Sequence, residues 1–360
     1  MNNDNVLSIL KNFDIRGKVI SIDTFGNGHI NRTYRIKTDV EKYILQEINS
    51  YAFKDIKSLM NNIEIVTSFI RNKGENSLEI IHTLDGQSYV YHEGKYYRVF
   101  IFIDNTICYE TIGEDLSLAS KLGEAFGKFH CLLSSLDSKL TKETIKDFHN
   151  TPQRFKNFLD AYSSADKNKI TKAKKEIDFI LNYQQTYSLI VDEMKAGNVK
   201  TRITHNDTKI NNVLFDKKTK EVFCIIDLDT IMPGSVLYDI GDSFRGLFTG
   251  ENEDNPDLSL QKVNINVFYA FIKSYLLQMK DELTKKEIEL IPYSIYLMVM
   301  EVGMRFLEDY LRGNIYFHVE YEEHNLVRAK TQIALAEDVL LHMSDLTNTV
   351  NRVLKEIHYE

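Results

Sequence analysis

His205-Asn206-Asp207-Thr208-Lys209-Ile210-Asn211-Asn212 is the stretch of this chain best equipped for chemistry. It fits the spacing H-x-D-x-x-x-x-N. In that pattern the Asp can accept the proton of an attacking hydroxyl, and the Asn can ligate a metal ion that rides on a phosphoryl donor. Asp227-Leu228-Asp229 follows. Between them lie two apolar runs, Val213–Asp216 and Val222–Ile226, on either side of Lys217-Lys218-Thr219-Lys220, a pattern that predicts a β-hairpin. Antiparallel pairing about that turn sets Asn212 opposite a residue near Ile225, so Asn212 and Asp227 reach one end of the hairpin beside Asp207. Two oxygen ligands and a base at one mouth meet the needs of a Mg²⁺–nucleotide site, because Mg²⁺ takes a few hard oxygens plus phosphate. The plain alternative is a solvated hairpin whose ends carry Asp and Asn as turn formers. The order of the three positions together favours phosphoryl transfer.

A second candidate lies near the start, in Phe25-Gly26-Asn27-Gly28-His29-Ile30-Asn31. Glycines let backbone N–H groups close over phosphates, and Gly26, Asn27 and Gly28 fall in a hairpin that would sit above a nucleotide. Asn31 stands where a fuller G-x-G-x-x-G would have its third glycine. A bare G-x-G in a hairpin is more often only a turn, and it gains weight here from the downstream loop. No G-x-x-x-x-G-K-[ST] occurs, which excludes a P-loop NTPase on motif grounds. Protein kinases place a Lys on their third strand to meet the nucleotide phosphates. The corresponding run here is Tyr43-Ile44-Leu45-Gln46-Glu47, with an uncharged Gln46 at that place. Lys42 shares its strand face and is a candidate helper. Glu64 fits the solvated face of a helix better than a partner for a strand cation.

These residues need elements to hold them. Lys18–Thr24, Arg32–Thr38, Lys42–Gln46, Gln87–His92 and Lys95–Ile103 read as strands, and Asp55–Arg71 has helical spacing of Ile56, Leu59, Met60, Ile63, Val66 and Phe69. After Asp104 the character changes. Leu116–Leu133, Thr171–Tyr187, Val263–Met279, Tyr293–Leu311 and Val327–Leu341 read as helices, interrupted by the strand–turn–strand of Ile203–Asp229. The expected class is α+β in two lobes with a cleft between them: a small antiparallel-sheet lobe over 1–104 and a larger, mostly helical lobe over 105–360. The connector Phe102-Ile103-Asp104-Asn105 joins them, and Phe102 and Ile103 are expected to offer backbone N–H and C=O groups to an adenine.

Composition bounds the rest. With 360 residues, 43% hydrophobic and 27% charged, the chain is globular rather than disordered or fibrous. Lys plus Arg is 44 against 52 Asp plus Glu, a net charge of −8. That leaves no cation surplus for a phosphate backbone, so nucleic acid is not the expected partner. Cys108, Cys131 and Cys224 are too scattered for a zinc framework, which fits reduced thiols. No signal peptide is read at Met1–Asn5, and Ile291–Leu307 carries Glu301 and Arg305, so no membrane span is expected. The expectation is a cytoplasmic protein, monomeric or weakly dimeric.

The sequence resembles the aminoglycoside-phosphotransferase and choline-kinase group of small-molecule kinases, which are built like protein kinases. More narrowly it is similar to the bacterial N-acetylhexosamine 1-kinases. The resemblance rests on Thr204–Leu214, on Ile226-Asp227-Leu228-Asp229-Thr230-Ile231-Met232-Pro233-Gly234, and on Tyr238-Asp239-Ile240-Gly241-Asp242-Ser243. Phe148-His149-Asn150-Thr151-Pro152 and Arg305-Phe306-Leu307-Glu308-Asp309-Tyr310-Leu311 extend it. It implies ATP and Mg²⁺, with Asp207 as catalytic base and Asn212 and Asp227 as metal ligands. Asp229 is then either a further ligand or a support of the metal site, and Asp239 braces the catalytic loop. The hexosamine kinases share the I-L-Q pattern at Gln46, so its lack of charge does not imply a dead enzyme. The implied acceptor is an amino sugar phosphorylated at its anomeric hydroxyl, N-acetylglucosamine or N-acetylgalactosamine, with Asp242, Arg245, Arg305, Asp309 and Tyr316 as candidate contacts. From spacing alone a helix-surface ion pair is the better reading of Arg305 and Asp309, and the resemblance brings the substrate reading level with it. Rival readings are a kinase of another small alcohol (an aminoglycoside, choline, homoserine or methylthioribose) and a catalytically silent nucleotide-binding module.

Overall fold

A computed structural model describes residues 3–26, 30–113, 115–249 and 254–358. They fall into two compact units. The first comprises the chain through Ile107 with Ser138–Lys146 and Leu214–Met232, and the second comprises Cys108–Asp137, Asp147–Val213 and the chain from Pro233 onward. Leu214–Met232, which holds most of the hairpin after the His205–Asn212 loop, therefore groups with the N-terminal strands.

In the first unit, α1 (Asn3–Leu10) precedes β1 (Val19–Thr24), β2 (Arg32–Thr38), β3 (Lys42–Ile48), α2 (Ile56–Asn72), β4 (Ile80–Ile81), β5 (Val90–His92), β6 (Lys95–Ile101) and β7 (Thr106–Ile107). The sheet order is β1-β2-β3-β6-β4, with β5 beside β6, and the pairings within it are antiparallel. Alternation along the strands divides its faces. Tyr34, Ile36, Tyr43, Leu45, Tyr97 and Val99 turn to one side and close on Val6, Ile9 and Leu10 of α1. Residues between them, Gln46 and Arg98 included, turn to the other. Asp55 caps α2 by accepting from Ser58 N, and Asn62 of that helix donates to the carbonyls of Lys142 and Ile231.

The second unit opens with α3 (Leu116–Leu133), α4 (Thr151–Ser164), α5 (Lys167–Lys172), α6 (Lys174–Asn182), α7 (Leu189–Lys195) and β8 (Arg202–Thr204). The expected helix over Thr171–Tyr187 is broken into short pieces at Ala173 and Tyr183. The hairpin strands β9 (Val213–Asp216) and β10 (Val222–Ile225), which group with the first unit from Leu214 on, form as expected, with β7 on the outer side of β9, and β11 (Met232–Gly234) pairs with β8. The helices α8 (Val236–Thr249), α9 (Ile265–Met279), α10 (Lys285–Arg312), α11 (His324–Leu341) and α12 (Met343–Glu356) complete the unit. Helix α10 starts earlier than Tyr293. Thr284 and Glu287 form a capping box, and Pro292 is accommodated inside the helix. This helix is long and apolar enough to cross a bilayer, but 89% of that stretch is buried in the protein, so it is a core helix.

Candidate active site

The His205–Asn212 loop, the candidate catalytic loop, is held by side chains that take its backbone amides one after another. Asp239 accepts from His205 N at 2.8 Å and from Asn206 N at 2.7 Å. His205 Nδ1 accepts from Asp207 N at 3.2 Å, and Asp242 Oδ2 accepts from Thr208 N at 2.9 Å. Asp239 and Asp242 lie three apart on α8 and so face the loop together. Gly241 lets α8 itself pack closely on α10, since a Cβ there would stand 2.3 Å from the carbonyl oxygen of Ser294. Charged acceptors of this kind are worth roughly 1.5–3 kcal/mol per bond, which fixes a loop that contains Asn206 in the left-handed region at φ 65°. The strand that leads into it is anchored too, by a buried ion pair of Arg202 Nη1 with Glu287 Oε1 at 2.6 Å.

So held, Asp207 keeps its carboxylate partly exposed, the side chain at 29%. Asn212 Nδ2 donates to Asp207 O at 2.8 Å and to Oδ2 at 3.2 Å, and Lys209 Nζ lies 3.5 Å from Oδ1. With its Nδ2 spent on Asp207, Asn212 has its amide oxygen left for a cation. The structure thus joins Asp207 with Asn212. Lys209 beside them lies in the loop quoted from sequence but is given no role of its own there.

Asp242 and Arg245 meet each other, Arg245 Nε to Asp242 Oδ1 at 3.0 Å, both buried. Burial alone would raise the Asp242 carboxyl, but the Arg245 guanidinium, Lys209 and His149 outweigh it and hold it below its ordinary value. Both of its oxygens are engaged, so its observed part is to brace the loop.

His149, quoted from sequence in Phe148–Pro152 without a site role, proves to be a junction. Its Nδ1 lies 2.8 Å from Glu301 Oε1 and its Nε2 lies 3.2 Å from the carbonyl oxygen of Asn206. Glu301 Oε2 accepts from Thr151 Oγ1 at 2.7 Å. The Asn150-Thr151-Pro152 helix start, with Asn150 accepting from Gln153 N, is the signal that fixes His149 just ahead of α4. Next to it, Phe148 lies under Arg305 at 5.7 Å, and Phe317 faces the same guanidinium at 5.6 Å. Among the described residues Arg305 has no anionic partner. The expected pairing with Asp309 is absent, because Asp309 is committed elsewhere: it accepts from the backbone N–H of Ile315, Tyr316 and Phe317 and from Asn325 Nδ2, all at 2.8–2.9 Å. It shapes the turn that presents Phe317 and the exposed Tyr316.

In the first unit, Asn31, Gln46 and Asp229 come together through a residue the sequence reading missed. Arg98 Nη1 lies 2.5 Å from Asp229 Oδ1, and its Nε donates to Gln46 Oε1 at 2.9 Å. Asn31 Nδ2 donates to Asp229 Oδ2 at 2.6 Å. Gln46 Nε2 donates in turn to Thr33 Oγ1. Lys42 is not part of this cluster, since it pairs with Asp104 at 2.5 Å, and Glu64 pairs with His82 on a half-exposed surface. Gly26 adopts φ 75° with open space around it, and Phe25 of the glycine loop packs edge-on to Phe102 at 5.5 Å. Asn27 and Gly28 lie outside the described residues. Ile103 is partly buried, and its carbonyl accepts from Thr106 Oγ1.

Among the described residues no group of three His, Cys, Asp or Glu side chains assembles as a metal cluster. Mg²⁺ does not ask for one; a carboxylate or two and phosphate oxygens suffice. Asp227 fits, being exposed and in the left-handed region at φ 59°, a backbone state Asp tolerates. Asp229 has one oxygen on Arg98 and the other on Asn31, which fits a supporting part.

Comparison with known proteins places this geometry. The model of the phosphotransferase enzyme family (APH) matches residues 21–265. Among solved structures, an aminoglycoside phosphotransferase from Alicyclobacillus acidocaldarius is 14% identical, covering 96% of both chains with a TM-score of 0.62. A choline kinase from Cryptosporidium parvum is 15% identical over 97% of this chain and 100% of its own, at 0.60. Spectinomycin phosphotransferase, solved with ADP and spectinomycin, is 14% identical over 97% and 99%, at 0.57. At such identity these three establish the fold, which is protein-kinase-like, with an antiparallel-sheet N-terminal part and a helical C-terminal part. The matched family covers most of the chain, and on that ground this protein belongs to the phosphotransferase enzyme family and is a small-molecule kinase.

Proposed function

We propose that the enzyme transfers the γ-phosphoryl group of ATP to the anomeric hydroxyl of an N-acetylhexosamine, giving the sugar 1-phosphate. Residues 1–104 serve as the nucleotide-binding lobe, joined by the hairpin segment Leu214–Met232. The remainder of 105–360 carries the catalytic loop and the sugar contacts. Asp207 accepts the proton of the C1 hydroxyl as the oxygen attacks the γ-phosphorus; the new O–P bond forms, the bond to the β-bridging oxygen breaks, and ADP leaves. Mg²⁺, held by Asp227 and Asn212, supplies charge compensation for the phosphates. Gly26, Asn27, Gly28 and Asn31 cover the nucleotide, while Phe102 and Ile103 border its base. The compartment proposed is the reducing cytoplasm.

The observation that carries the acceptor reading is Arg305, a cation without an anionic partner among the described residues, whose guanidinium lies over the Phe148 and Phe317 rings at 5.7 and 5.6 Å. Phe148 adjoins His149, which touches the Asn206 carbonyl, so this cluster borders the base. Arg154 stands beside it on the Phe148 carbonyl, and burial together with the Arg305 charge pulls its pKa below the ordinary arginine value. Two guanidiniums and aromatic faces suit an uncharged polyol with an acetamido group, and they repel the cationic aminoglycosides and choline. An anomeric hydroxyl is more acidic than an ordinary alcohol, within reach of one carboxylate base. The test is an acceptor panel with Mg²⁺-ATP, read by ADP release and by NMR of the phosphorylated carbon. N-acetylglucosamine or N-acetylgalactosamine should gain phosphate at C1, and their methyl glycosides should be inert. Phosphate at C6, or turnover of the methyl glycoside, overturns the 1-kinase reading.

A further inference from the structure

Gln46 leaves β3 without a charge where kinases hold the nucleotide phosphates with Lys. Its register partner on β6 is Arg98, so the two side chains stand side by side on the sheet face opposite the Tyr97–Val99 core. Arg98 is 2% exposed, and a guanidinium does not give up its charge. The first unit therefore contains a permanent buried cation beside the position that lost one.

Its surroundings differ from those of a structural arginine. Helix α2 offers it only the Met60 sulfur, at 3.8 Å, and the helix glutamate that would pair with a kinase lysine, Glu64, is turned to His82. Its counter-charge is Asp229 instead, the acidic residue two past Asp227. Asp229 in turn holds Asn31, whose Oδ1 accepts from Asn49 N at 3.0 Å. Gln46, Arg98, Asp229 and Asn31 thus form one chain of contacts from the strand to the end of the glycine loop. The Nη2 group of Arg98 has no hydrogen-bond partner among the described residues, so one arm of the fork is unspent.

We infer that Arg98 is the phosphate-binding cation of this enzyme. The charge that kinases carry on the third strand is supplied from the neighbouring strand; Gln46 orients the guanidinium through Nε, Asp229 through Nη1, and the remaining edge binds the nucleotide's phosphate oxygens. Asp229 then acts as a positioning residue, and the uncharged Gln46 is a fitted part of the site. This inference rests on the kinase reading above.

Calorimetry with adenosine and with Mg²⁺-ADP separates the two. Wild-type protein should bind ADP more tightly than adenosine. Arg98→Gln should weaken ADP about tenfold or more, as expected for a lost charge-assisted pair, with adenosine unchanged. The double variant Gln46→Lys with Arg98→Gln should recover part of the ADP affinity, because it restores a cation on the same face. Arg98→Lys keeps the charge and with it the fold, but not the fork, and should weaken ADP severalfold at constant adenosine affinity. An Arg98→Gln or Arg98→Lys protein with the wild-type ADP-to-adenosine ratio, whether by binding both normally or by losing both alike, makes Arg98 a packing residue and overturns the inference alone. Wild-type protein that binds no ADP overturns the kinase reading, and Arg98's assignment with it.

Discussion

His130 Nε2 stands 2.7 Å from Asp239 Oδ2, both side chains fully buried, and Tyr275 Oη meets the other ring nitrogen at 2.8 Å. This relay from α9 through α3 fixes the carboxylate that in turn holds the amides of His205 and Asn206. Asp239→Asn replaces one acceptor oxygen by an N–H donor facing those groups. It should cost about 2–3 kcal/mol of stability and lower kcat, with Mg²⁺-ADP affinity little changed. Urea unfolding and ADP calorimetry on the same preparation check this; a variant with full turnover would show the brace dispensable.

Glu301 predicts a pH effect. Burial alone would raise its pKa, but the His149 ring, Arg154 and the Thr151 hydroxyl more than offset this and hold it below its ordinary value. Tyr238, pushed up by burial and by Glu301, faces the same group. A carboxyl with a depressed native pKa contributes stability above its unfolded value, about 4.3 for Glu, and that contribution is lost as pH falls toward the native one. Wild-type protein should therefore lose stability below about pH 4.3. Glu301→Gln should be less stable at pH 7 and lose less over the same interval. Parallel urea midpoints for the two proteins at pH 7 and pH 4 would contradict this.

Arg305→Ala should raise KM for the acceptor by about tenfold, from the loss of a partly desolvated cation and its stacking, and leave Mg²⁺-ADP affinity alone. Arg305→Lys should not rescue it, because a lysine lacks the planar guanidinium that can stack on the Phe148 and Phe317 rings. Initial-rate kinetics with each substrate varied separate these outcomes; a change in KM for ATP instead would move Arg305 out of the acceptor site.

Asp309 acts through the turn it caps. Asp309→Asn can no longer accept from four donors, so hydrogen exchange at Ile315, Tyr316 and Phe317 should speed up by about an order of magnitude or more, with KM for the acceptor rising as Phe317 loses its place. Unchanged exchange together with a raised KM would make Asp309 a direct substrate contact.

How much of this could be read from the chain depended on how local the signal was. The H-x-D-x-x-x-x-N spacing, the hairpin after it and the Leu116–Leu133 stripe are contiguous, and each appears where the pattern put it. Arg98 could not be found that way. Its importance lies in a cross-strand register with Gln46, 52 residues away, and no periodicity marks such a pair. The helix read from Tyr293 begins eight residues earlier as α10, where Thr284-x-x-Glu287 spells a capping box upstream of Pro292. Asp309 shows the reverse: i,i+4 spacing with Arg305 invited an ion pair, and tertiary contacts with the 315–317 turn prevailed. Asp229 is legible only as either a further metal ligand or a support of the metal site, and its contacts with Arg98 and Asn31, which fit the supporting part, come from residues far away in sequence.

The kinase reading turns most directly on Asp207. Asp207→Asn keeps the size of the side chain and can still meet Asn212, but it cannot take a proton. With saturating Mg²⁺-ATP and acceptor, turnover should fall by about 10²–10⁴-fold, while calorimetric affinity for Mg²⁺-ADP stays within about twofold of wild type. An Asp207→Asn enzyme that still phosphorylates its acceptor at the wild-type rate would contradict the assignment of the base and the chemistry built on it.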